Sequence, residues 1–486
     1  MPGVSQATQL AIIGGGPGGY AAAFLAADLG MQVTLIDQEP HPGGVCLYRG
    51  CIPSKALLHV ANVLTEARQA ARWGVTFTAP TIDLAKLRAW KDEVVQKLTS
   101  GLGDLCKRRQ VHFIQGQARF QDATTLHIDT VQGETQLLTF AHAIIATGSR
   151  PATLPHLALE SPRLLDSTTA LALPDIPPTL LVIGGGYIGL ELGSAYAALG
   201  AQVSIVEMTS GLLPGVDRDL VNHLSTHLKP ALTALMLNTT VTALREEPHG
   251  LGVTFQGPDV APAYQVFDRV LIAVGRRPNT HNLGLEHTRI TLDQHGFIPV
   301  DAQRCTAEPG IYAIGDVTGE PLLAHKASHE GRVAVRAMHG EPVAFTPHAI
   351  PAVVFTDPEI AWCGLTETQA RQNGRTVDVA RFPWAASGRA TTLDRYDGVT
   401  KLLLDPATHR ILGVGIAGPG AGELIAEGVL AVEMAAVASD LALSIHPHPT
   451  LSETLMEAAE VFFGQSTHVY RPLRRRSEAK AHEPLA

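Results

Sequence analysis

Two cysteines, Cys46 and Cys51, stand in a glycine-framed segment that reads Gly43-Gly44-Val45-Cys46-Leu47-Tyr48-Arg49-Gly50-Cys51-Ile52-Pro53-Ser54-Lys55. A close thiol pair can exchange with a disulfide or hold a soft metal. Five cysteines in 486 residues are too few for a disulfide scaffold, so the pair is a candidate for chemistry rather than for stapling. Zinc would need two more ligands. His41 and His59 are near, but their spacing matches no zinc pattern, and no metal is expected. Pro53 suits the first turn of a helix that continues through the alanine- and leucine-rich residues after it. Cys51 then lies near that helix's N-terminus, where the dipole favours a thiolate, the species that attacks disulfides and gives up electrons. Cys106, Cys305 and Cys363 stand alone and read as small, inert, semi-buried residues.

Electrons need somewhere to go, and the pattern Gly-x-Gly-x-x-Gly occurs three times. In a chain with 46 glycines a lone match is weak, so context decides. The first match is Gly14, Gly16 and Gly19. An apolar strand (10–13) precedes it, an alanine-rich helix (20–29) follows, and a second strand (32–36) ends on Asp37. The second match is Gly184, Gly186 and Gly189, with a strand (180–183), a helix (187–199), a second strand (202–206) and Glu207. Each is a complete βαβ unit. Its glycines let the backbone approach a pyrophosphate at a helix N-terminus, and its acid stands where a ribose hydroxyl is bound. The distance from first glycine to acid, 23 residues, is the same in both. Glu207 has no basic residue before Arg218, so the second site should prefer NAD to NADP, whose 2′-phosphate a carboxylate repels. The third match, Gly413, Gly415 and Gly418, has no second strand and no acid at that offset, where Ala436 stands. It reads as an ordinary strand–turn–helix corner. Residues 144–151 also echo 271–278: each is an apolar strand, then a glycine (Gly148, Gly275), then an Arg-Pro exit.

These motifs together resemble the class I pyridine nucleotide-disulfide oxidoreductases, from the first strand to about residue 470. Within that family they look most like the branch that oxidises dihydrolipoyl groups. The segments that carry this are the cysteine run, Gly184-Gly185-Gly186-Tyr187-Ile188-Gly189-Leu190-Glu191, residues 382–390 and residues 446–453. The resemblance implies FAD in the first site and NAD in the second. It implies that Cys51 faces the flavin, that Cys46 exchanges with substrate, and that Lys55 approaches the flavin and pairs with Glu191. Through the run 311–316 it implies that Asp316 contacts the FAD ribitol, and it adds Ala324, Gly148 and Gly275 to the cofactor contacts. The chain departs from the family at Asp37, where Glu is usual and a water would be needed to reach the ribose. It departs again at Tyr48-Arg49, where Asn-Val is usual and the effect on the thiols is open.

His448 and Glu453 resemble the family's catalytic base and its orienting carboxylate. A substrate thiol is mostly protonated at neutral pH, so a base is needed, and imidazole has a suitable pKa. The plain alternative is that Thr450-x-x-Glu453 is a capping box and that His446 and His448 are turn residues beside prolines. His446 stays a second-rank candidate. In the family this segment comes from the partner subunit, which implies a homodimer.

The composition permits this and narrows the rest. A net charge of −9 argues against nucleic acid, and no apolar run reaches the roughly 18 residues of a membrane span, so a soluble, cytoplasmic protein is expected. The expected fold is α/β: two Rossmann-like FAD- and NAD-binding domains plus an α+β C-terminal dimerisation domain. The expected division is 1–150 for FAD, 151–278 for NAD, 279–348 completing the FAD domain, 349–470 for dimerisation and 471–486 as a flexible tail. The implied reaction is oxidation of dihydrolipoyl groups with reduction of NAD. The partner would be the lipoyl domain of a 2-oxo acid dehydrogenase complex or of the glycine cleavage system. A glutathione reductase conflicts with Glu207, and a mercuric reductase with the lack of a C-terminal cysteine pair. A mainly structural flavoprotein conflicts with the intact Cys, Lys and His-Glu set.

Overall fold

The first βαβ unit forms as its pattern dictates. The structure, a computed structural model, describes residues 5–258, 260 and 263–470, so the tail at 471–486 lies outside the described residues. Strand Ser5–Ile13 runs into helix Pro17–Asp28 and strand Val33–Asp37. Proline at the helix start costs no hydrogen bond there. Ser5–Ile13 starts earlier than its apolar run because its polar first half pairs with strand Thr135–Ile145. Val33–Asp37, Ser5–Ile13, Thr135–Ile145 and the late strand Ile311–Ala313 lie side by side and parallel, with His112–Asp122 beyond Val33–Asp37. Strand Thr125–Thr130 pairs antiparallel with both His112–Asp122 and Thr135–Ile145.

The second βαβ unit, Thr179–Ile183, helix Tyr187–Leu199 and Gln202–Val206, sits in a parallel five-stranded sheet with Leu164–Leu165, Arg269–Ile272 and Ala234–Met236. A three-stranded antiparallel sheet follows it, built from Thr240–Glu247, Gly250–Gln256 and Tyr264–Phe267. The two Arg-Pro exits pair with each other as an antiparallel ribbon, Arg277 opposite Arg150.

Two compact units result. One is the chain up to Pro214 with Leu228–Pro347, and the other is Gly215–His227 with the chain from His348 onward. The second unit is an antiparallel sheet in the order Ala352–Val354, Ile360–Gly364, Ile411–Ala417, Val399–Leu404, Asp378–Pro383. Helices Ala421–Glu433 and Glu453–Phe463 contribute to its core with fully buried Trp384, whose indole N–H donates to Thr400. The fold class is therefore the α/β arrangement expected, with an α+β C-terminal unit. The third glycine pattern differs in detail from the expected corner. Gly413 and Gly415 lie inside strand Ile411–Ala417, and Gly418 packs on the Trp384 ring.

Residues Gly215–His227 fall within the 151–278 span but belong to the C-terminal unit, and charge holds them there. The buried Lys401 ammonium bonds Asp217 at 2.6 Å, Asp219 at 2.8 Å and Glu367 at 3.0 Å. His227 faces Asp357 and Asp397. Hydrogen bonds to Asp357 and then Asp397 raise its pKa to about 9, against burial and the Arg395 charge. The raised pKa means a stabilising contribution that is complete below the ordinary value near 6.5 and is lost as pH climbs through about 9. Thermal unfolding should therefore show stability falling over that window. His227→Asn should flatten the fall, and an unchanged slope would exclude His227 as its source.

Candidate functional site

The site is built where strands of the first unit end. Gly14 takes a left-handed conformation (φ +105°), and a Cβ on it would lie 2.3 Å from the Ala146 carbonyl oxygen. Gly19, on the first turn of the helix, leaves no room either: its Cβ would meet the Gly14 carbonyl at 1.9 Å. Gly184 and Gly189 repeat this, at 2.4 Å from Ala273 O and 2.2 Å from Gly184 O. The middle glycines differ. Nothing lies within 4 Å of a Cβ on Gly186, and only Gly44 Cα approaches one on Gly16. Both loops thus keep an open backbone face at a helix N-terminus, the shape that receives a pyrophosphate.

The acids also act alike. Asp37 accepts hydrogen bonds from the Gly15 and Glu39 N–H groups, and Glu207 from Gly185 (2.7 Å) and Thr209 (2.8 Å). The shorter aspartate therefore reaches its loop as the glutamate does. Burial raises the Asp37 pKa against the pull of the Gly15 N–H and the Arg49 charge.

A cavity of about 800 Å³ opens beside the first loop. Its walls include Gly14, Gly16, Asp37, Cys46, Cys51, Lys55, Gly148, Glu191, Asp316 and Ala324, which sequence alone nominated. Gly19 lies beneath the loop. Gly184, Gly186, Gly189, Glu207 and Gly275 lie at the loop end of the second βαβ unit and its neighbouring strand and do not line this cavity. A cavity of this size, walled by a glycine loop, an acid at a strand end and the two thiols, fits FAD. The second cradle fits the nucleotide of NAD.

Cys46 sits on a short helix, Gly44–Arg49, and Cys51 is the first residue of helix Cys51–Gln69. Gly50 between them cannot carry a side chain, because its Cβ would fall 2.7 Å from Val45 O. Both thiols are free, and a hydrogen bond joins them. That bond, more than the Lys55 charge, lowers the Cys51 pKa to about 7, while burial and Glu191 oppose it. The same bond, with burial and the Cys51 charge, pushes Cys46 far up.

Lys55 Nζ lies 2.8 and 3.1 Å from the Glu191 carboxylate, and the Ser54 hydroxyl donates to the same group at 2.9 Å. Glu191 and Lys55 act on Cys51 with opposite sign. In the reduced protein without cofactor, Glu191→Gln should lower the pH at which Cys51 becomes reactive, and Lys55→Met should raise it. Alkylation rate against pH reads both shifts, and shifts of the same sign would contradict this electrostatic picture.

Sequence reasoning missed several supports. Asp316 accepts from the Ser149 hydroxyl, which in turn accepts from Arg276 Nε at 2.7 Å. The Asp316 turn is pinned by Glu330, wholly buried, which accepts the Gly315 N–H at 2.6 Å and pairs with Arg304 and Lys326. Tyr187 lines the cavity, its phenol raised to about 12 by burial first, in the fields of Asp316, Cys51 and Glu191. Only Tyr187 carried a local signal, its place directly after Gly186.

In the C-terminal unit, His448 Nδ1 lies 2.9 Å from Glu453 Oε1, while Glu453 Oε2 accepts the Thr450 N–H at 2.8 Å. Only half of the capping box forms, because the Thr450 hydroxyl donates to the Pro447 carbonyl and the helix begins at Glu453, after Ser452. Burial raises the Glu453 pKa, but the Thr450 N–H and His448 outweigh it, and the net shift is downward. With Nδ1 donating, Nε2 is left to accept a proton. His446 differs: its ring bonds Glu427 at 2.9 Å and the Ser444 carbonyl at 2.8 Å, so both nitrogens are engaged. Among the described residues no helix is long and apolar enough to cross a membrane.

Comparison with known proteins gives the same picture. The pyridine nucleotide-disulphide oxidoreductase family model matches residues 8–331, and the dimerisation domain of that family matches 350–459. A dihydrolipoyl dehydrogenase of Vibrio cholerae is 45% identical over 94% of this chain and 96% of its own length. One from Haemophilus influenzae is 46% identical over 95% and 96%. Among solved structures, LpdA from Mycobacterium tuberculosis superposes with a TM-score of 0.87 at 29% identity, covering 93% of this chain and 99% of that one. The Cu(II) complex of RclA, an HOCl-induced flavoprotein disulfide reductase from Escherichia coli, gives 0.83 at 29% identity, covering 94% and 99%. Matched in this way over nearly its whole length, the chain belongs to the pyridine nucleotide-disulphide oxidoreductases.

Proposed function

We propose that this protein oxidises protein-bound dihydrolipoamide to lipoamide and reduces NAD to NADH. The observation that carries the reading is the hydrogen-bonded Cys46–Cys51 pair, with the Cys51 thiol lowered to about 7, in the wall of the FAD-sized cavity. FAD, held by Gly14, Gly16, Gly19, Asp37, Lys55, Gly148, Asp316 and Ala324, supplies two-electron transfer between thiols and nicotinamide. The second cradle, Gly184, Gly186, Gly189, Glu207 and Gly275, holds NAD.

His448 removes a proton from one substrate thiol through Nε2, with Glu453 fixing the tautomer and stabilising the imidazolium. The substrate sulfur then attacks Cys46 of the Cys46–Cys51 disulfide, and Cys51 leaves as a thiolate. Attack by the second substrate sulfur releases the cyclic disulfide and leaves Cys46 as a thiol. In that reduced state the Cys46 proton is shared with Cys51, which holds the negative charge beside Lys55.

The C-terminal match to a dimerisation domain supports a homodimer in which His448 reaches the partner's thiols. The lipoyl domain of a 2-oxo acid dehydrogenase complex, or of the glycine cleavage system, would be the substrate. Five cysteines, two of them the redox pair and the other three set apart in sequence, suit the reducing cytoplasm. Turnover of the purified protein with dihydrolipoamide and NAD tests the reading. NADH formation is expected. Inactivity there, with brisk NADPH-dependent reduction of another disulfide, would overturn it.

A further inference from the structure

Arg49 is one of the two positions at which the cysteine run departs from its family, and thiol chemistry gives it no role. It ends the short helix Gly44–Arg49 and lines the cavity. The other end of that helix rests on the first glycine loop: a Cβ on Gly44 would lie 2.5 Å from Gly16 Cα. The helix therefore spans from the pyrophosphate cradle toward the end of strand Val33–Asp37. There Arg49 Nη2 pairs with Glu39, which also lines the cavity. Its charge is felt at Asp37, the ribose-side acid.

The pair with Glu39 leaves Arg49 incomplete. Its Nε is buried and has no acceptor among the described residues. A donor shielded from water and left unsatisfied is costly, so such a group is retained where something else satisfies it. The neighbours that remain are Asp37 and the open cavity. The oxygens that come to that place are those of a nucleotide's phosphates and ribose, which a planar guanidinium suits.

We propose that Arg49 anchors FAD, its guanidinium held in place by Glu39 and donating to the adenosine diphosphate half of the cofactor. This rests on the flavoprotein reading above. It adds a contact made by the loop between the two redox cysteines, so that cofactor retention and the geometry of the thiol loop share one short helix.

The test is equilibrium binding to deflavinated protein. FAD is titrated by flavin fluorescence and ADP by competition, for wild type, Arg49→Met and Arg49→Lys, with circular dichroism confirming that each is folded. Arg49→Met should bind FAD about tenfold more weakly, the scale of one charge-assisted bond. ADP should weaken by the same factor, and Arg49→Lys should fall between. Equal FAD affinity in wild type and Arg49→Met overturns the proposal alone. So does weaker FAD with unchanged ADP, which would place the contact on the flavin half. If Arg49→Met does not fold, equal affinities of wild type and folded Arg49→Lys also overturn it, because lysine has no counterpart to the Nε–H. A wild-type protein that binds no FAD overturns the flavoprotein reading together with the proposal.

Discussion

Cys51→Ser will reduce NAD-linked dihydrolipoamide oxidation by at least ~10³-fold, with the protein still folded and FAD still bound. Serine nearly matches the thiol in size, and Cys51 begins its helix without serving as a packed core residue, so stability should hardly change. Chemistry is what disappears. The thiol is lowered to about 7 by the Cys46 hydrogen bond and the Lys55 charge, whereas an alcohol in the same place stays protonated and forms no disulfide. Cys46→Ser should be equally inactive but distinguishable. It keeps the Cys51 thiol and loses the partner thiol that does most to lower it. The alkylation pH profile of Cys51 in that variant should therefore change, whereas Cys51→Ser should leave no thiol titrating near neutrality. Substantial turnover by either variant would remove the dithiol mechanism.

His448→Gln should cost ~10²–10⁴-fold at neutral pH, the usual worth of a positioned base. Glutamine keeps a donor for Glu453 but accepts no proton. The deficit should shrink as pH rises, because free thiols ionise by themselves in the range around 8.5 and need the base less. A loss independent of pH would mean that His448 binds substrate without moving a proton. Glu453→Gln should lose less, because its amide oxygen still accepts the Thr450 N–H and what disappears is the stabilisation of the imidazolium. The depressed Glu453 pKa means its charge, and so the orientation of His448, persists down through the ordinary carboxylate range.

Much of the site was legible because its parts are local. Each cradle is encoded by three glycines and an acid within one βαβ unit, and steric contacts between near neighbours give those glycines their meaning. The decoy at Gly413 was legible for the converse reason, since its acid and second strand were missing. The capping reading of Glu453 was legible only in part: one carboxylate oxygen accepts the Thr450 N–H and the other faces His448, while the Thr450 hydroxyl turns to Pro447 and leaves the reciprocal bond unmade. His446 shows the limit. In sequence it resembles His448, and only the approach of Glu427 from helix Ala421–Glu433 fills its second nitrogen.

The amino-acid order alone determined where nucleotides can be cradled, which cysteines form the pair and which histidine has a carboxylate one turn away. It could not determine what sets the charge on those groups. Glu191 meets Lys55 across 136 positions, Ser149 meets Asp316 across 167, and Arg276 meets Ser149 across 127. Residues Gly215–His227 joined the C-terminal unit through Lys401 rather than staying with the domain around them in sequence. The physical reason is one of range. Backbone turns and helix ends are fixed by sterics and hydrogen bonds between close neighbours, whereas the partner of a buried charge is whichever residue the converging strand ends place within about 3 Å, a matter that only the tertiary structure decides.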